Sequence, residues 1–181
     1  MKIYTKTGDD GETTLYGGTR VAKDSLRVWC YGSVDEANCA LGMAAVQIPY
    51  ENIQLILRQI QQKLFILGAE LASDAEGIGR LSTRITADDI AFLENVIDET
   101  MAEHGPITRF LIPGETVPSG LLHVARVTVR LAERYVTSLA KTEEISPLIL
   151  AYLNRLSDAL FALSYAVLCK EMLCKEGKQD V

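Results

Sequence analysis

Three arginines, Arg126, Arg130 and Arg134, recur at intervals of four within HVARVTVRLAER at 123–134. On a helix that spacing lines one face. Three planar guanidiniums along one edge suit a triphosphate, which they can grip bidentately while neutralising the charge that grows on a leaving polyphosphate. Glu133 stands three residues after Arg130, within reach of a pair with it. The same spacing also serves a solvated face laced with ion pairs, so the arginines alone leave both readings open.

A second cluster lies at the N-terminus, in YTKTGDDGETT at 4–14 followed by Arg20 and Lys23. Glycines let the backbone curl until several N–H groups converge on an anion. Threonine hydroxyls add donors, and Lys6 or Lys23 adds charge. No GxxxxGK[ST] is present, so this is not a Walker A loop. Asp9 and Asp10 could hold magnesium through water or orient the loop by accepting backbone N–H bonds. A plain surface turn has much the same composition.

The third cluster is NRLSD at 154–158, inside a run that is otherwise almost wholly apolar. Burying an amide, a guanidinium and a carboxylate is costly unless each is paired. Asn154 and Asp158 fall on one helical face, and Arg155 and Asp158 can bridge at three residues. The island serves either a network between helices or a ligand. Together the three clusters point to an anionic ligand held between the N-terminal loop and two helices.

The elements that must position these groups are helices. Ile53, Ile56, Leu57, Ile60, Leu64, Leu67 and Leu71 recur at steps of three and four, the stripe of a helix covering a core. A second stripe runs Ile90, Leu93, Ile97, Met101, with Thr86 as its N-cap and Asp89 three residues on. The pattern predicts further helices over 25–47, 118–140 and 147–174, the last opening on Pro147. Five helices joined by Gly- and Pro-containing connections predict an all-α antiparallel bundle. Residues 1–24, with Gly8, Gly11, Gly17 and Gly18, read as an ordered loop before it.

Composition sets the outer limits. At 181 residues with 48% hydrophobic content, the chain suits one domain with a sizeable core. There is no repeat or linker to divide it. A formal net charge of -6 opposes general nucleic-acid binding. The run at 148–168 carries Asn154, Arg155 and Asp158 near its middle, which suits a buried helix rather than a membrane span. The first residues lack the apolar stretch of a signal peptide, so the expected setting is the cytoplasm, with the cysteines reduced. Four cysteines without a CxxC pair and two histidines predict no metal centre built from these side chains.

YTKTGDDGETTLYGGTRVAKD, YGSVDEANCALG at 31–42, FLIPG at 110–114, HVARVTVRLAER and YLNRLSD at 152–158 resemble, in that order, the motifs of PduO-type ATP:cob(I)alamin adenosyltransferases. The match spans nearly the whole chain. The resemblance implies a homotrimer of five-helix bundles with ATP and corrinoid bound together between subunits. Carried over by position, ATP contacts fall to Thr5, Lys6, Thr7, Gly8, Thr13, Thr14, Lys23, Arg130, Glu133, Arg134 and Asn154. Phe110 matches an aromatic residue that crowds the lower face of the corrin and displaces its axial ligand. Asp35 and Arg126 match a salt bridge across the subunit interface beside the corrinoid. Two positions depart from the pattern: Glu115 replaces a second glycine after Pro113, and Leu131 replaces a second arginine.

The activity so implied is attack of cob(I)alamin on the 5′-carbon of magnesium-ATP with release of inorganic triphosphate. It requires no protein nucleophile, in keeping with a sequence that offers no Ser-His-Asp or Cys-His arrangement. An electron-donating reductase would serve as partner, and neither nucleic acid nor membrane would. A carrier that binds ATP or corrinoid without turning it over would keep the same motifs. A purely structural bundle would keep only the stripes.

Overall fold

The computed structural model describes residues 3, 4 and 6–176, the last three by backbone alone. Thr5, one of the expected ATP contacts, lies outside the described residues. Strands β1 (Glu12–Thr14) and β2 (Arg20–Ala22) are followed by helices α1 (Leu26–Gln47), α2 (Glu51–Leu71), α3 (Ala75–Arg80), α4 (Ala87–His104), α5 (Val117–Leu139) and α6 (Pro147–Glu176).

The five long helices match the expected ones to within a few residues at each end. Their apolar stripes explain the packing. On α2, Ile53, Leu57, Ile60, Leu64, Leu67 and Leu71 are buried, while Ile56 is only partly so. Leu41 of α1, Leu122 and Val129 of α5, and Leu153, Leu156 and Leu160 of α6 meet in the same core. Helix α1 packs on α2 and α5, α5 on α6, and α6 on α4. Each large aliphatic side chain so buried contributes roughly 1.5–3 kcal/mol over leaving it in water.

Helix α4 starts as its sequence predicts. The Thr86 backbone N–H and hydroxyl both reach Asp89 Oδ2, each at 2.9 Å. Lys63 Nζ of α2 adds an ion pair to Asp89 at 2.6 Å. Burial pushes the Asp89 carboxyl up, but the Lys63 and Thr86 bonds together hold it below the usual carboxylate range. The buried line of α4 is Asp89, Leu93, Val96 and Thr100, so the core face is rotated from the expected stripe. Ile97 and Met101 instead border a cavity described below.

Two features correct the expected architecture. A sixth, short helix, α3, lies between α2 and α4, where no apolar repeat signals it. Its N-cap is Asp74, which accepts from the Gly77 N–H at 2.9 Å. The N-terminal segment is not only loop. Strands β1 and β2 pair antiparallel, with Glu12 opposite Ala22 and Thr14 opposite Arg20. Three-residue strands with one half-buried residue each carry too little alternation to be read from sequence.

The hairpin is docked on the rest of the fold. Tyr16 N–H donates to Ala72 O at 2.9 Å and Asp74 N–H to Tyr16 O at 3.1 Å. Asp74 Oδ2 also accepts from the Thr19 N–H and hydroxyl at 2.9 and 2.6 Å. Gly17 has φ +126°, and a Cβ there would lie 1.7 Å from Asp74 Oδ1. Only glycine allows that approach.

Candidate active site

Helices α4, α5 and α6 enclose a cavity of about 280 Å³. Arg126 and Arg130 of α5 and Asp158 of α6 supply its charges, and Ile97, Met101 and Phe161 most of its apolar wall. Spacing by four on α5 places both arginines on the same side, as the sequence predicts. Arg126 is half-buried and Arg130 exposed. No acidic partner for either is found among the described residues. Burial, and then the charge of Arg130, lower the pKa of Arg126. Two neighbouring cations without counter-ions form a site for an anion.

Glu133 does not pair with Arg130, as its spacing had suggested. Its Oε1 accepts from Asn154 Nδ2 of α6 at 2.9 Å. Arg155 bridges Asp158 at 3.2 Å, as expected, and also Glu94 of α4 at 3.1 Å. Asn154 and Asp158 are exposed, so the polar island is a surface strip on α6 rather than a buried network. Arg134, one turn beyond Arg130, is exposed on the same helix.

The N-terminal residues form a separate group. Arg20 holds the loop in shape, bonding Thr7 O at 3.0 Å, Asp10 Oδ2 at 3.2 Å and Glu12 Oε2 at 2.9 Å. Lys23 Nζ donates to Gly8 O, and its backbone N–H to Gly11 O at 2.8 Å. Asp10 therefore orients the loop. Lys6 adopts a left-handed conformation with φ 62°. None of Lys6, Thr7, Gly8, Thr13, Thr14 or Lys23 borders the cavity with Arg126 and Arg130. Within one chain the loop and the arginines therefore do not share a cavity. The loop is fastened to the α2–α3 junction instead.

Asp35 is likewise apart from Arg126. It is exposed on α1 and borders a second cavity, of about 240 Å³, with Tyr31, Asn38 and Phe65. Phe110 is 98% exposed on the connection from α4 to α5, free of the core. Glu115, just beyond it, pairs with Arg109 at 3.2 Å, which bridges the two sides of Phe110 within that loop.

A third cavity, about 710 Å³, lies between the hairpin, α3 and the α5–α6 connection, and none of the expected site residues borders it. Its charges are largely answered locally. Arg27 bonds Glu143 Oε2 and the Leu71 and Ser73 carbonyls, and Arg84 bonds Ile78 O. Sequence reasoning missed two residues that shape the site: Asp74, which docks the hairpin, and His123, which touches Arg126. Asp74 carried a signal, since Asp followed by Ala-Glu-Gly is a fair N-cap. His123 carried none. Among the described residues, no three His, Cys, Asp or Glu side chains converge as a metal site, and no helix is long and apolar enough to cross a membrane.

The fold and site define a helical bundle with an ordered N-terminal loop and two neighbouring guanidiniums, Arg126 and Arg130, beside an apolar wall. The chain belongs to the cobalamin adenosyltransferase family, whose model matches residues 3–167. It is 45% identical over 163 residues to the corrinoid adenosyltransferase of Citrobacter freundii, covering 90% of this chain and 93% of that protein. It is 44% identical to the corrinoid adenosyltransferase of Bacillus subtilis, covering 92% and 86%. Against the corrinoid adenosyltransferase PduO of Salmonella typhimurium, 43% identical, the chain spans about half of that protein's length, 49%. Among solved structures, a variant of the PduO-type ATP:corrinoid adenosyltransferase from Lactobacillus reuteri complexed with cobalamin and ATP superposes with a TM-score of 0.84 at 34% identity, over 91% of this chain and 92% of that one. Another variant of that enzyme, complexed with ATP, gives 0.85 at 35% identity over 94% and 96%.

Proposed function

We propose that this chain transfers the 5′-deoxyadenosyl group of ATP to the cobalt of a reduced corrinoid, releasing inorganic triphosphate. The observation that carries the reading is the pair of unanswered guanidiniums, Arg126 and Arg130, beside an apolar wall. It is supported by family membership and by the cobalamin and ATP held in the related Lactobacillus reuteri structure.

In this reading ATP is gripped by Thr5, Lys6, Thr7, Gly8, Thr13, Thr14 and Lys23 of one copy. Arg130, Glu133, Arg134 and Asn154 of its neighbour complete the site. Separation of the loop from the arginines within one chain favours a site completed between copies, and the family resemblance supports a homotrimer as the assembly. Exposed apolar residues on α1 and α2, among them Met43 at 62%, Val46 at 78% and Phe65 at 68%, are suited to such an interface. Asp35 of one copy then pairs with Arg126 of the next beside the corrinoid.

The chemistry belongs to the substrates, and the protein positions them. The cobalt nucleophile attacks the 5′-carbon of the ribose, the carbon–oxygen bond breaks, and the electron pair leaves with triphosphate. Arg130 and Lys6 stabilise the charge that develops there. Magnesium would arrive with ATP and offset its phosphate charge. Asp10 is paired with Arg20 and orients the loop. Phe110 covers the lower face of the corrin and excludes an axial ligand, which eases reduction to the nucleophile by a partner reductase in the cytoplasm.

The test is anaerobic mixing of the purified chain with magnesium-ATP and chemically reduced cobalamin. Enzyme-dependent decay of the cob(I)alamin absorbance with an equal yield of triphosphate is expected. Binding of both ligands without turnover would replace the transferase by a carrier.

A further inference from the structure

His123 is buried on α5, 4% exposed, one turn before Arg126. Both of its ring nitrogens are engaged. Nδ1 lies 3.4 Å from Arg126 Nε, and Nε2 lies 3.3 Å from the Ser164 hydroxyl of α6. A guanidinium Nε–H can only donate, so Nδ1 must be the acceptor and the ring proton must sit on Nε2. The Ser164 hydroxyl donates to Phe161 O at 2.7 Å, which leaves its oxygen to accept from Nε2. The bonds therefore run in one direction, from Arg126 through His123 and Ser164 to the α6 backbone.

Phe161 closes the arrangement. Its ring lies 6.0 Å from the His123 ring and 6.0 Å from Arg126 Cζ. The guanidinium is thus held through Nε and against an aromatic ring, a geometry open to arginine and not to lysine. Among the described residues nothing claims its two Nη groups, and Arg126 borders the cavity with Arg130. A histidine serving only to fill the core would have no need of a partner directed at the site.

We infer that His123 is a positioning residue: its Nε2–H tautomer fixes Arg126 so that both Nη groups are presented to the corrinoid side of the site. The inference rests on the proposed role of Arg126 and deepens it. Amide replacements separate it from simple packing. Asparagine places its head near Nδ1 and keeps an acceptor for Arg126, whereas glutamine reaches towards Nε2 and Ser164 and leaves Arg126 Nε without one.

The experiment compares H123N, H123Q, R126A and the H123Q/R126A double variant by steady-state kinetics with reduced cobalamin. H123Q is expected to raise the corrinoid KM by about tenfold, the worth of one charge-assisted hydrogen bond, with the KM for ATP unchanged. H123N is expected to recover most of that loss, and the double variant to be no worse than R126A. Equal behaviour of H123N and H123Q, with R126A impaired, would overturn the positioning role and leave the role of Arg126 standing. A wild-type corrinoid KM in R126A would remove both. The unsubstituted protein gives an independent readout. Nitrogen-15 spectra of its two histidines, assigned with H104Q, are expected to show His123 protonated on Nε2; protonation on Nδ1 would sink the inference.

Discussion

Asn154 Nδ2 donates to Glu133 Oε1 at 2.9 Å, tying the exposed strip of α6 to the arginine helix α5. The bond takes Glu133 away from Arg130 and leaves that guanidinium free of an acidic partner among the described residues. It also fixes the orientation of the Asn154 amide on an exposed stretch of α6. The pair should therefore act on the nucleotide as a unit.

Glu133→Ala is expected to raise the KM for ATP by about tenfold, in line with about 1.5 kcal/mol for a hydrogen bond to a charged group. Glu133→Gln, which keeps an acceptor, should lose less. Asn154→Ala combined with Glu133→Ala should be no worse than Asn154→Ala alone, a coupling that steady-state kinetics on the four proteins would measure. Additive losses would show that the two side chains act separately.

Arg130 is exposed, so its truncation leaves the core intact. Arg130→Ala should melt within about 0.5 kcal/mol of the parent, as surface changes usually do. Its kcat should fall by roughly 10²–10³, the worth of one preorganised donor at developing negative charge. Activity within twofold of wild type would refute its role at the leaving triphosphate.

Phe110 has almost no contact with its own chain. Phe110→Ala should accordingly leave the melting temperature unchanged while removing the cover proposed for the lower corrin face. The loss is expected to be large when turnover starts from cob(II)alamin and a reductant, and much smaller when it starts from cob(I)alamin reduced beforehand. Equal losses in both assays would place Phe110 in the transfer step rather than in reduction.

Asp74 couples hairpin order to acid. Its pKa is held down to about 2 by the Thr19 hydroxyl first, and then by the Gly77 and Thr19 N–H groups, against an ordinary value of 3.8. Because the folded value lies below the unfolded one, the stabilisation is fully present above about pH 4 and disappears as pH falls towards 2. Amide protection factors over residues 12–22, taken relative to the intrinsic rate at each pH, should fall across that window in the parent. Asp74→Asn should show low protection there at every pH and bind ATP more weakly, and Gly17→Ala, which drives a Cβ into Asp74, should behave alike.

Much of this was legible in the sequence because it is local. The Ile53 to Leu71 stripe, the Thr86–Asp89 cap, the Arg126–Arg130 spacing and the Arg155–Asp158 bridge each depend on neighbours one turn apart, where helical geometry alone fixes who meets whom. The order of motifs added the family. Other features are settled over long separations, and there the sequence offers several partners of equal merit. Glu133 could reach Arg130 at three residues or Asn154 across two helices, and only the packing of α5 on α6 selects the second. Ile97 and Met101 carry the same apolar signature as Leu93, yet the rotation of α4 against α6 sends Leu93 to the core and the other two to the cavity. His123 gives no sign of its partner until α6 brings Ser164 and Phe161 beside it. The hairpin escaped notice because its stability comes from Asp74 and Ala72, more than fifty residues away from Thr19 and Tyr16, and not from the alternation of its own short strands.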